Sequence, residues 1–164
     1  MWETIAVEAA GESLLWAEAL LPEDERELVP VFSSLADERF ALGLETIYEG
    51  YLLHYGRPRL FGRRDRHTSL LLGDYLYAHG LVRIAAGRDV DAVADLAALI
   101  SLCAQLRADG GAGDGEAWAA TAALLGDGPL SGTHEPEALR AAAVAAAGAE
   151  PVEGALALHR LRVG

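Results

Sequence analysis

Glu45 and Glu49, one helical turn apart in a chain of 164 residues, come closest to having the type and spacing that chemistry requires. Carboxylates four positions apart on a helix project the same way. A Mg²⁺ ion takes oxygen ligands of that kind while sharing its shell with phosphate oxygens. Downstream, Arg57 in Gly56-Arg57-Pro58 adds a cation, and Asp74 in Leu70-Leu71-Leu72-Gly73-Asp74 adds another carboxylate. A carboxylate on an apolar helix is costly unless it is paired or faces a polar cavity, which singles out Asp74. The competing assignment for Glu45 and Glu49 is a solvated helix face.

The remaining reactive residue types are arranged less suggestively. Five arginines, Arg57, Arg59, Arg63, Arg64 and Arg66, form the one basic concentration in the chain. They read either as a solvated connection or as cations facing an anionic ligand or an acidic partner, since guanidinium forks match phosphate oxygens. The five histidines show no metal-ligand spacing, and His79, on an apolar helix, reads as a core histidine. Cys103 lies between Leu102 and Ala104 and reads as a small buried hydrophobe. The glycines at 110–115 lack the lysine and the flanking strand of a phosphate loop. Tyr48, Tyr51, Tyr55, Tyr75 and Tyr77 read as core and interface aromatics.

These residues must be positioned by helices. Long Ala, Leu, Glu and Arg stretches favour helix over strand, because straight side chains lose little rotamer freedom there. Residues 1–20 alternate at roughly helical spacing, weakened by Gly11, and a short acidic piece follows from Glu23 to Leu28. From Ser34 to Tyr55 the apolar residues Phe40, Leu44, Ile47, Tyr51 and Tyr55 form one stripe, with Ser34 and Asp37 as its cap and Glu38, Glu45 and Glu49 on another face. Gly56 and Pro58 end that helix.

Thr68 or Ser69 is expected to cap the next helix, Leu70 to Ala85, which is apolar nearly all round and therefore expected to be central. Gly73 and Gly80 share one side of it, where a neighbour can approach closely. Asp89 caps a further apolar helix, Val90 to Arg107. A flexible loop at 109–115 precedes Glu116 to Leu125, and a connection through Thr133 to Pro136 leads to helices Glu137 to Ala147 and Val152 to Leu161. The expectation is one all-α domain over 1–164, a helical bundle of seven or eight helices.

Composition narrows the function classes. With 25 acidic against 13 basic residues the formal net charge is -12, which argues against nucleic acid as a partner. No apolar run approaches the ~20 residues a membrane span needs. The N-terminal residues lack a positive n-region, so the expected location is cytoplasmic and no signal peptide is expected. A single cysteine is compatible with that reducing compartment.

Taken in order, Glu45-Thr46-Ile47-Tyr48-Glu49, Gly56-Arg57-Pro58 and Leu72-Gly73-Asp74-Tyr75-Leu76-Tyr77-Ala78 resemble the first half of a trans-prenyl (polyprenyl) diphosphate synthase. The likeness spans roughly Leu44 to Leu106. In that family an Asp-Asp-x-x-Asp motif precedes a Gly-Lys-Pro-like turn and a Leu-x-Gly-Asp-x-Leu-x-Ala helix. The motif holds magnesium ions that neutralise the departing diphosphate. Here Glu45 and Glu49 occupy its first and last positions, Thr46 replaces the middle aspartate, and His54-Tyr55 replace the paired arginines. No second aspartate-rich motif follows.

The resemblance implies an isoprenoid-synthase-like bundle, or a truncated version of one. It also implies a noncatalytic or degenerate subunit of isoprenoid biosynthesis, with no catalytic residue and no cofactor. Such a subunit associates as a homodimer or as a hetero-oligomer with a larger catalytic chain. If it holds a ligand, an isoprenoid diphosphate near Glu45, Glu49, Arg57 and Asp74 is implied. The alternatives are a small Mg-dependent enzyme of prenyl diphosphate chemistry, with Glu45 and Glu49 on the metal and Asp74 beside them, and a helical adaptor with no ligand.

Overall fold

Every residue from Gly43 to Leu53 is buried, which makes the helix Ala41–Tyr55 the axis around which the others pack. The computed structural model describes residues 1–62, 64–127 and 135–163. Among these the chain is all-helical, with eight α-helices and no strand. They are α1 Trp2–Glu12, α2 Leu14–Ala19, α3 Ala41–Tyr55, α4 Arg66–Ala86, α5 Val90–Ala108, α6 Asp114–Ala123, α7 Pro136–Ala147 and α8 Ala149–Val163. No helix is long and apolar enough to cross a membrane among the described residues. The expected connection at Thr133, with His134, and the arginine at 63 lie outside the described residues.

Local chemistry accounts for most helix ends. Asp89 caps α5 through the Ala92 N–H at 3.0 Å, as its position suggested. Gly56 ends α3 and donates its N–H to the Leu52 carbonyl. The cap of α4 is Asp65, whose carboxylate accepts from the His67 and Thr68 N–H groups, not Thr68 or Ser69. Helix α3 starts at Ala41 rather than near Ser34, after 3-10 turns at Ser33–Leu35 and Glu38–Phe40. The physical reason is Glu45, which draws the Val31 and Ser33 N–H groups onto its own carboxylate and so holds the incoming chain off a helical path.

The closest packing joins α3 to α4, and glycine makes it possible. A Cβ on Gly50 would stand 2.8 Å from the Gly73 carbonyl oxygen, and one on Gly80 would stand 3.0 Å from that of Gly43. The antiparallel helices thus meet at two glycine pairs, each seven residues from the other along its helix. Gly73 and Gly80 play the role their spacing suggested, and Gly43 and Gly50 are their counterparts. Gly50→Ala forces the backbones apart and is expected to cost about 1–3 kcal/mol in urea unfolding. Gly11→Ala in α1, where an added methyl meets nothing within 4 Å, is expected to be neutral or stabilising by up to about 1 kcal/mol.

The main core gathers α3, α5, α6, α7 and α8 around Phe32, Tyr48, Tyr51 and Trp118. A smaller cluster of Ile5, Ala9, Phe61, Leu72 and Leu76 lies under α1 and α2. Helix α4 is not the central element its composition suggested. It turns Gly73, Leu76 and Gly80 inward while Leu71, Asp74, Ala78, Val82 and Ala85 face outward. His79 is likewise no core histidine: its Nε2 lies 3.0 Å from Glu8 at the partly exposed contact between α4 and α1.

Candidate functional site

Glu45 and Glu49 do project together from α3, as their spacing requires, but into the interior. They are 1 % and 0 % exposed, which overturns the solvated-face assignment. Between them lies the guanidinium of Arg59, itself fully buried. Arg59 reaches inward because Pro58 and the extended chain after Gly56 carry it back along α3. Its Nε donates to Glu49 Oε2 at 3.0 Å, and one terminal nitrogen donates to Glu45 Oε2 at 2.5 Å and to the Val29 carbonyl at 3.0 Å. The other donates to the Glu45 carbonyl at 3.2 Å.

The remaining carboxylate oxygens are also engaged. Glu45 Oε1 accepts from the Val31 and Ser33 N–H groups, and Glu49 Oε1 from those of Arg59 and Leu60. The rings of Trp2 and Tyr48 lie over the guanidinium, 4.7 and 5.0 Å from it to centroid. Two carboxylates sharing a buried site need a cation between them, and here an arginine supplies it. A divalent ion would have to displace Arg59 and strip four backbone N–H groups. The residues therefore fit a guanidinium, not magnesium.

Arg57 and Asp74 lie in two other environments. Arg57 is exposed and paired with Glu27 at 2.8 Å, and Glu27 also accepts from Arg162 at 2.9 Å. Asp74 is exposed on α4, with its Oδ1 3.1 Å from His54 Nε2. It is therefore not a buried carboxylate in need of a cavity. The His54 ring stacks on Tyr77, and burial lowers its pKa below the ordinary histidine value against the opposing pull of Asp74. Of the four residues that the resemblance implied, Glu45 and Glu49 come together, and Arg57 and Asp74 each pair elsewhere.

A second buried polar group had no signal in residue spacing. Asp114, the first residue of α6, accepts from the Tyr51 hydroxyl and from Arg107, whose Nε lies 2.9 Å away. The Tyr48 hydroxyl lies 2.9 Å from His159 Nδ1, and His159 Nε2 faces Asp114 at 3.5 Å. Tyr48 and Asp114 thus face the two ring nitrogens of His159 from opposite edges of the ring. Gly115 permits this approach, since a Cβ there would stand 2.9 Å from the His159 ring.

Burial pushes Asp114 upward, but His159, Tyr51 and Arg107 outweigh it and hold the carboxyl well below the ordinary range. Burial raises the Tyr48 and Tyr51 hydroxyls far above theirs, so both stay protonated. Cys103 is buried, and burial likewise raises its thiol. These side chains join α3, α5, α6 and α8 from residues far apart in sequence, and each of the rings of Phe32, Tyr48, Tyr51, Trp118 and His159 has at least three of the others within 6 Å. Its chemistry is structural cross-linking by charge-assisted hydrogen bonds.

Comparison with known proteins leaves the reading to these contacts. No family model, curated protein or solved structure matches the chain.

Proposed function

We propose that the chain is a noncatalytic helical subunit of the prenyl-diphosphate-synthase type, a truncated isoprenoid-synthase-like bundle that acts in the cytoplasm by associating with itself or with a larger catalytic chain. The observation that carries this reading is the occupation of the Glu45 and Glu49 oxygens by Arg59 and backbone N–H groups. Where the resembling family holds cations against a diphosphate, an internal guanidinium takes their charge role. The acids that would do chemistry instead fasten the segment at 29–33 and the turn at 59–60 to α3.

Association is supported by apolar side chains that the bundle leaves in solvent. Leu71 and Val82 on α4 are 61 % and 66 % exposed, and Val90 at the start of α5 is 78 % exposed. Apolar side chains left outside the bundle in this way are surface that association would cover. The purified chain with Mg²⁺, an allylic diphosphate and isopentenyl diphosphate is expected to release no pyrophosphate, and sedimentation or co-purification from the native host is expected to show a companion. Turnover by the chain alone, abolished in Glu49→Gln, would establish the Mg-dependent enzyme instead. An inert chain that stays monomeric and companionless would leave a helical adaptor with no ligand.

A further inference from the structure

Four carboxylates gather where the start of α5 meets the turn at 124–127 that follows α6. Asp89 caps α5, Asp91 stands in its first turn, Asp95 lies one turn further along, and Asp127 belongs to the turn. Asp95 is only 7 % exposed. Its Oδ2 accepts from the Gly126 N–H at 3.1 Å, whereas its Oδ1 is buried with no hydrogen-bond partner. The Asp89 carboxylate lies against the same glycine, since a Cβ on Gly126 would stand 3.2 Å from Asp89 Oδ2. Gly126 has a φ of +90°, so the turn that meets both acids requires a glycine.

Cations are scarce at this corner. Arg39, from the 3-10 turn before α3, donates to Asp89 Oδ2 at 3.0 Å and also faces Asp37 at 3.9 Å. No arginine or histidine lies within ion-pair range of Asp95 among the described residues. The charges that act on Asp95 are those of Asp89 and Asp91 from its own helix and Asp127 from the turn, all of its own sign. This reverses the situation of Asp114, whose burial is offset by His159, Tyr51 and Arg107. Burial raises the Asp95 carboxyl above its ordinary value of 3.8 against the opposing pull of the Gly126 N–H, and the three aspartates add to the rise.

We infer that this corner is a proton-operated latch, in which Asp95 Oδ1 takes up a proton while Oδ2 keeps the Gly126 N–H, and the turn at 124–127 closes on α5. Ionised, Asp95 repels Asp89 and Asp127 and loosens the turn. Protonated, it still accepts from Gly126 and the repulsion is gone. A carboxyl raised in the closed corner favours closure fully below 3.8 and loses that effect as pH rises through the closed-state value. The latch thus tightens in acid, opposite in sign to the contribution of Asp114. It shares no residue with the Glu45–Arg59–Glu49 cluster and does not rest on the noncatalytic-subunit reading.

NMR of the full chain tests it, by following the Asp95 carboxyl carbon and the exchange protection of the Gly126 N–H from about pH 7 to about pH 3. Asp95 is expected to titrate above 3.8. Asp95→Asn keeps an oxygen for the Gly126 N–H and cannot ionise, so it fixes the latch in its uncharged state. Gly126 protection in the parent is expected to start below that of Asp95→Asn near neutral pH and to approach it in acid. The gap is expected to be about tenfold for each pH unit by which the measured Asp95 midpoint exceeds 3.8. Asp127→Asn, which removes one like charge from the exposed turn, is expected to lower that midpoint. A midpoint at or below 3.8 overturns the latch, as does a gap in Gly126 protection that pH does not change. A gap abolished by about 1 mM calcium also overturns it, since the acids then serve a metal in place of a proton.

Discussion

Replacing Arg59 with Met is expected to remove about 3–5 kcal/mol of stability, a large share of the ~5–15 kcal/mol typical of a domain. The substitution keeps much of the side-chain volume but deletes the cation between two buried carboxylates, and like charges then face each other in a medium that solvates neither. It also strands the Val29 carbonyl, which accepts from the guanidinium, and leaves the Trp2 ring without its charged partner. Urea unfolding followed by circular dichroism measures the loss, and tryptophan fluorescence detects release of the N-terminal helix. Glu49→Gln, which keeps an oxygen for the Arg59 and Leu60 N–H groups, is expected to lose less, about 1–3 kcal/mol. An Arg59→Met protein within about 1 kcal/mol of the parent would show that this cluster does not hold the fold.

Asp114→Asn is expected to cost about 3 kcal/mol at neutral pH and much less in acid. The sign follows from the environment of the carboxyl. His159, Tyr51 and Arg107 hold it below its ordinary value of 3.8 despite its burial, so the folded state favours the ionised form. A group depressed on folding stabilises the protein above its unfolded pKa, and that contribution drains away as pH falls below it. The difference between parent and variant is therefore expected to be full at pH near 7 and to shrink below pH 3.8. Subtracting the variant's pH profile from the parent's isolates the contribution of Asp114. Urea unfolding at several pH values provides the measurement, and an equal difference at neutral and acid pH would refute a charge-based role.

The helices and their punctuation were largely legible in the residues. Gly56 and Pro58 mark the end of α3, Asp89 marks the start of α5, and Gly73 and Gly80 mark a close approach, because cap chemistry and missing side chains act within a few residues of themselves. The start of α3 was misplaced because its entry is set by a carboxylate reaching from Glu45 back to Val31 and Ser33, a contact across 12 to 14 residues. The cap of α4 is a local contact, in which Asp65 takes the His67 and Thr68 N–H groups ahead of Thr68 or Ser69, whereas the outward turn of Asp74 depends on how α4 docks on α3. Apolar residues all round α4 suggested centrality. Helix α3 is central instead, because α4 covers one side of it through the glycine pairs while Phe32, Trp118 and His159 cover Tyr48 and Tyr51.

Charge, helical class and the shared direction of Glu45 and Glu49 belong to the residues themselves, since composition and the 3.6-residue period act without regard to what packs nearby. Whether those carboxylates meet water, a metal or an arginine does not, because nothing in their spacing says which distant side chain will arrive between them. Folding brings Arg59 there and gathers Tyr48, Tyr51, Arg107, Asp114 and His159 from four helices. Each outcome depends on long-range packing, in which burial makes an uncompensated charge too costly to leave alone and so selects its partner.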